Sequence, residues 1–184
     1  MKQILGKRSR QEAFLSEEVS RPQDCPSDAT YAHVPWNNTP HAPYSTENVP
    51  SEAEAYRLLD VFISSMGVSQ HFFDQRAFSD AMDELYRQEP ARREASEGLW
   101  FVEFLLVMAI AKLVEGQLDT GRPPGVSELL EATRRLPSIG ELRQEGVLAV
   151  EILALTAVYY QCCGRKDDAY IQVSDFLVIP EQRT

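Results

Sequence analysis

Eight consecutive apolar residues, Phe104 to Ala111 (FLLVMAIA), constrain this chain more than any other feature. At 3.6 residues per turn, such a run leaves a helix no polar face for water. A helix apolar on every side has to be enclosed by other elements. The run is bracketed by Glu103 and Lys112, and a membrane span needs about 20 mostly apolar residues. The pattern therefore predicts a buried central helix of a soluble core, running from about Ser96 to Leu118.

The flanking sequence supplies helices to enclose it. Ser51 and Glu54 form an S-x-x-E capping box at the head of SEAEAYRLLDVFISSM. Tyr56, Leu59, Phe62 and Ile63 then recur at helical spacing. A second helix is expected from near Asp74, with Phe78, Met82 and Leu85 with Tyr86 on one face and Pro90 as its stop. The central helix is followed by a loop holding Gly121, Pro123, Pro124 and Gly125, and then by a shorter helix, VSELLEATRRL, that ends before Pro137. Ser138 and Glu141 repeat the S-x-x-E signal. From Val147 to Tyr160, twelve of fourteen residues are apolar, so this is a second buried helix. Gly164 suits the left-handed residue that ends a helix, and Asp167 with Asp168 suits the first turn of the next. That last helix is expected to turn Ala169, Tyr170, Val173, Phe176 and Leu177 inward. No alternating run competes, so the fold class is all-α: packed antiparallel helical hairpins, six or seven helices in all, after a disordered N-terminal tail. The expected division is a tail over residues 1–50, a helical domain over 51–179 and a short end over 180–184.

Six of the eleven prolines fall within residues 1–50, where apolar residues have no period. This stretch carries five basic and six acidic residues, so about nine of the ten net negative charges lie beyond it. A chain of charge -10 repels phosphates, which argues against direct nucleic-acid binding. Lys7, Arg8 and Arg10 form a small basic group of the kind found in nuclear import signals. No apolar run near the N-terminus has the length of a signal peptide. The sequon Asn37-Asn38-Thr39 is accordingly expected to stay unglycosylated. Three cysteines, two of them adjacent, give no disulfide framework and fit a reducing compartment.

Chemistry-bearing motifs are scarce. Cys25, His33 and His41 lie in the proline-rich stretch with nothing to hold metal geometry, and His71 precedes Phe72 and Phe73 in an expected loop. In GRPPG the prolines remove the N–H donors that would cradle a phosphate. Cys162 and Cys163 stand at a helix C-terminus, where the negative end of the dipole keeps a thiol protonated. Arg165 and Lys166 oppose that effect but are expected to point to solvent. The pair therefore reads as small buried hydrophobes, with a redox-active helical protein as the alternative. No catalytic, cofactor-binding or metal-ligating residue is assigned.

Three stretches together resemble the fungal-specific transcription factor domain, the helical middle homology region of regulators with a binuclear zinc cluster. The first is VPSEAEAYRLLDVFISSMGVSQHFFDQRAF, through Phe72, Phe73, Asp74 and Phe78. The second is FLLVMAIAKL. The third is LPSIGELRQEGVLAVEILALTAVYYQCCGRKDDAY, through Leu148 to Tyr160, Gln161, Gly164, Arg165, Asp167, Ala169 and Tyr170. The resemblance implies an N-terminal portion of a regulatory domain in a nuclear regulator of transcription, acting through protein partners or self-association, with an effector ligand it does not specify. In that family zinc and DNA reading belong to a cluster of six cysteines, and only Cys25 precedes the domain here. No cofactor and no DNA binding by this chain alone are therefore expected. A helical protein-interaction scaffold unrelated to transcription is the alternative.

Overall fold

Helix α4, Trp100–Glu115, is the element that the others enclose in this computed structural model. The structure describes residues 49–66, 71–116 and 122–177. Expectations for the tail, its basic group, the sequon, Cys25, His33, His41 and residues 178–184 lie outside the described residues. Among those described, every regular element is helical: α1 Glu52–Met66, α2 Gln75–Tyr86, α3 Ala91–Glu97, α4, α5 Val126–Arg135, α6 Ile139–Leu142, a 3-10 turn Arg143–Glu145, α7 Val147–Cys162 and α8 Lys166–Leu177.

In α4 every residue from Phe101 to Ala111 is buried. Helices α1, α5 and α7 pack against it, and α7 also carries α8. Each fully buried Leu, Phe or Met contributes roughly 1.5–3 kcal/mol. Polar contacts fix how the helices sit. Arg57 of α1 pairs with Glu115 at the end of α4 as well as with Glu54. Lys112 of α4 pairs with buried Glu128 of α5 at 2.6 Å. The Tyr159 hydroxyl of α7 donates to the Pro124 carbonyl at 2.7 Å. Arg135 of α5 donates to the Ser96 carbonyl at 2.9 Å and lies over the Phe101 ring. At Gly125, φ is 76° and the backbone rests directly on α4. A side chain there would strike the Ala109 carbonyl oxygen and lie within 2.6 Å of its Cα.

Several boundaries differ from the expected ones. The helix expected over Ser96 to Leu118 is two helices, because Gly98 takes an extended conformation between α3 and α4. Its far end is also nearer, since α4 closes at left-handed Gly116. Pro90 does not stop α2, which ends at Tyr86; it stands at the head of α3. The Ser138–Glu141 box is complete but caps only the one-turn α6. Between the 3-10 turn and α7 the chain bends by 118° at Gly146. Ser51 accepts from the Glu54 N–H at 3.4 Å, while the Glu54 side chain turns to Arg57 instead of closing the first box. The short helices α3 and α6 bring the count among the described residues to eight, where six or seven helices were expected.

In α1 the buried set is Ala55, Leu58, Leu59 and Phe62, with Tyr56 and Ile63 half-buried beside it. In α2, Phe78, Met82 and Leu85 are buried as the spacing predicts. Tyr170 is 74 % exposed rather than inward. Helix α8 packs on α7, so its outer half faces solvent, and Tyr170 and Ile171 fall on that half. The inward placing of Phe176 and Leu177 lies outside the described side chains.

Candidate functional site

The adjacent cysteines occupy a structural corner. The Arg165 N–H donates to the Tyr160 carbonyl and the Gly164 N–H to that of Gln161, the paired bonds of a Schellman turn. Gly164 has φ 74°, which that turn requires. Cys163 is buried and Cys162 half-buried. Arg165 is not solvent-directed as expected: it pairs with Asp168 and lies over the Tyr160 ring, with its side chain largely covered. Lys166 is exposed. The guanidinium thus serves the turn and the first turn of α8.

A second locus was not assembled by sequence reasoning. His71, Phe73 and Asp74 from the α1–α2 loop, Gln75 and Arg76 from the start of α2, and Glu151 from α7 line an open cleft of about 490 Å³. Its position follows from local rules. Asp74 caps α2 by accepting from the Arg76 and Ala77 N–H groups at 2.9 and 3.1 Å. That cap fixes the point at which the loop enters α2. Behind the loop runs an aromatic series: Phe73 stacks on Phe78 at 4.5 Å, Phe78 meets Trp100, and Trp100 meets Phe104.

Trp100 and Glu103 stand one turn apart on α4 and so share a face. Among the described residues, neither Trp100 Nε1 nor Glu103 Oε1, both buried, has a hydrogen-bond partner. Glu103 is only 3 % exposed. Burial pushes its carboxyl up to about 8, and the charge of Glu151 adds to the rise. Glu151 is itself raised, by burial first and then by the charge of Asp74. The charge of Asp74 on the α1–α2 loop thus bears on Glu151 of α7, and that of Glu151 on Glu103 of α4. Among the described residues, no group of three or more His, Cys, Asp or Glu side chains is arranged to hold a metal ion. His71 lies in a loop, as expected; it is exposed and borders this cleft.

A third feature is the outer surface of α7. This helix has no continuous polar face, yet Val147 is 73 % and Val150 56 % exposed, with half-buried Glu151 beside them. Among the described residues, no single helix is long and apolar enough to cross a membrane. Comparison with protein-family models, with curated proteins and with solved structures found no match.

Proposed function

We propose that this chain is a regulatory and interaction domain of the kind found in fungal zinc-cluster transcription factors, working through protein contacts. The order and spacing of the three stretches from Val49 to Tyr170 support the family reading. The observation that carries the interaction reading is the exposed apolar face of α7, with Val147 and Val150 outward on a helix that has no polar face. Contiguous exposed apolar surface is what marks contact with other macromolecules, and Val147 and Val150 lie one turn apart on the same side of α7. The net charge of -10 supports contacts with protein rather than with phosphate. Nuclear localisation follows from the same reading.

A tethering assay tests it. Fused to an unrelated DNA-binding module, the chain changes transcription of a reporter in fungal cells, and Val147→Asp with Val150→Asp abolishes the change. A fusion that accumulates folded yet leaves the reporter unaltered refutes the transcriptional reading. Retained capture of a protein partner by that silent fusion, lost in the double variant, favours the unrelated interaction scaffold.

A further inference from the structure

We infer that the chain's own residues 1–10 dock on the outer face of α7, Ile4 and Leu5 against Val147 and Val150, and so compete with the partners of that face. The competition rests on the interaction reading above; the contact itself does not. Val147 and Val150 are both exposed, with exposed Glu145 before them and half-buried Glu151 beside them. Arg143 of the 3-10 turn, the cation nearest in sequence, is half-buried and already engaged. An occupant of this face needs apolar side chains flanked by positive charge.

Residues 1–10, MKQILGKRSR, have that character. Lys2, Lys7, Arg8 and Arg10 surround the apolar pair Ile4 and Leu5, and no acidic residue is among them. The rest of the chain holds 28 acidic against 14 basic residues, so its field attracts this segment. The next apolar pair, Phe14 and Leu15, lies among Glu12, Glu17 and Glu18 and is repelled by the same field. On α8, Tyr170 and Ile171 form a second exposed apolar pair. Arg165 and Lys166 balance Asp167 and Asp168 there, so that pair offers the segment no net negative charge. The tether is long enough. Residues 11–48 lead to Val49, and beyond it the Tyr86 hydroxyl holds the Pro50 carbonyl at 2.8 Å. Fully extended they reach about 120 Å, against roughly 40 Å across a domain of this size. Such a tether sets an effective concentration on the order of 1 mM. A contact of a few side chains then forms without adding to the core, and it is released before the core melts.

The test is zero-length cross-linking of the full chain by a water-soluble carbodiimide, which joins a lysine amine to a touching carboxylate. Equal amounts of unlabelled and isotope-labelled chain are mixed, and peptides of the monomer and dimer bands are read by mass spectrometry. Lys2 and Lys7 should join Glu145 or Glu151 within one label, in the monomer, and more often than any other carboxylate of the fold. These links should be lost in Ile4→Asp with Leu5→Asp, and in Val147→Asp with Val150→Asp, which keep every lysine and both glutamates. The methyl resonances of Val147 and Val150 should move between the native chain and the Ile4→Asp, Leu5→Asp variant. Links between labels give the face to a second copy, and links spread evenly over the carboxylates reflect charge alone. Either result overturns the proposal, as do unmoved methyl resonances. In the tethering assay the Ile4→Asp, Leu5→Asp variant should strengthen the reporter response. An active reporter without the links refutes the docking alone, and the links with a silent reporter refute the transcriptional reading alone.

Discussion

Glu103 is a carboxyl buried on a largely apolar helix. Its carboxyl is raised to about 8, first by burial and then by Glu151. The folded chain therefore holds this proton more tightly than the unfolded chain, whose value is near 4.5. Stability from this group is full below that value, is lost as pH rises towards 8, and levels off above. The urea midpoint of the native chain should fall between pH 5 and pH 8.5. In Glu103→Gln, which cannot ionise, that fall should be smaller, and above pH 8 the variant should be the more stable by on the order of 2 kcal/mol. Glu151 is raised in the same direction, so the double variant with Glu151→Gln should flatten the profile further. Gly125 is the steric counterpart. A methyl group there meets the backbone of Ala109, which has no rotamer to escape by, and φ 76° strains any side chain. Gly125→Ala should cost about 3 kcal/mol or more, seen as a fall of roughly 10 °C in melting temperature.

At the scale of elements, α7 separates two demands that its sequence merges. Leu155 is wholly buried against the α4 layer, while Val150, five residues earlier, is 56 % exposed. Leu155→Ala should destabilise by about 2–5 kcal/mol. Val150→Asp should leave the melting temperature within about 2 °C. An equal loss in both would show that the outer face is covered in the free protein. The central run Phe104 to Ala111 was legible because enclosure is its only stable outcome. The core face of α2 was legible because Phe78, Met82 and Leu85 keep helical spacing. The breaks at Gly98 and Gly146 were not, since a single glycine inside a helical pattern is tolerated or breaks it according to the packing around it. Tyr170 was misplaced because an aromatic in the pattern does not reveal which side of its helix the neighbouring α7 covers. The cleft was hidden for a stronger reason. His71 and Glu151 are eighty residues apart, and only the packing of α7 beside the α1–α2 loop brings them together. The one local sign was a carboxylate interrupting each apolar helix, Glu103 in α4 and Glu151 in α7.

Over the whole molecule, charge decides which partners can approach. The chain carries 28 acidic against 18 basic residues, and many of the basic ones are already engaged. Arg134 and Arg135 pair with Glu131, Lys112 with Glu128, Arg57 with Glu54 and Glu115, and Arg165 with Asp168. A phosphate backbone would have to displace carboxylates from these cations, losing an existing pair for each one gained. Duplex binding is strong and salt-dependent when free lysines and arginines release condensed counterions, with log K falling by about 0.9 per neutralised phosphate for each tenfold rise in salt. This chain has no such face to offer among the paired groups, so the expected slope is near zero. Fluorescence anisotropy with a labelled duplex should show no association at about 50 mM or 200 mM salt. A steep negative slope would mean that a set of cations outside these pairs forms a contiguous surface, and the exclusion of DNA drawn from net charge would then fail.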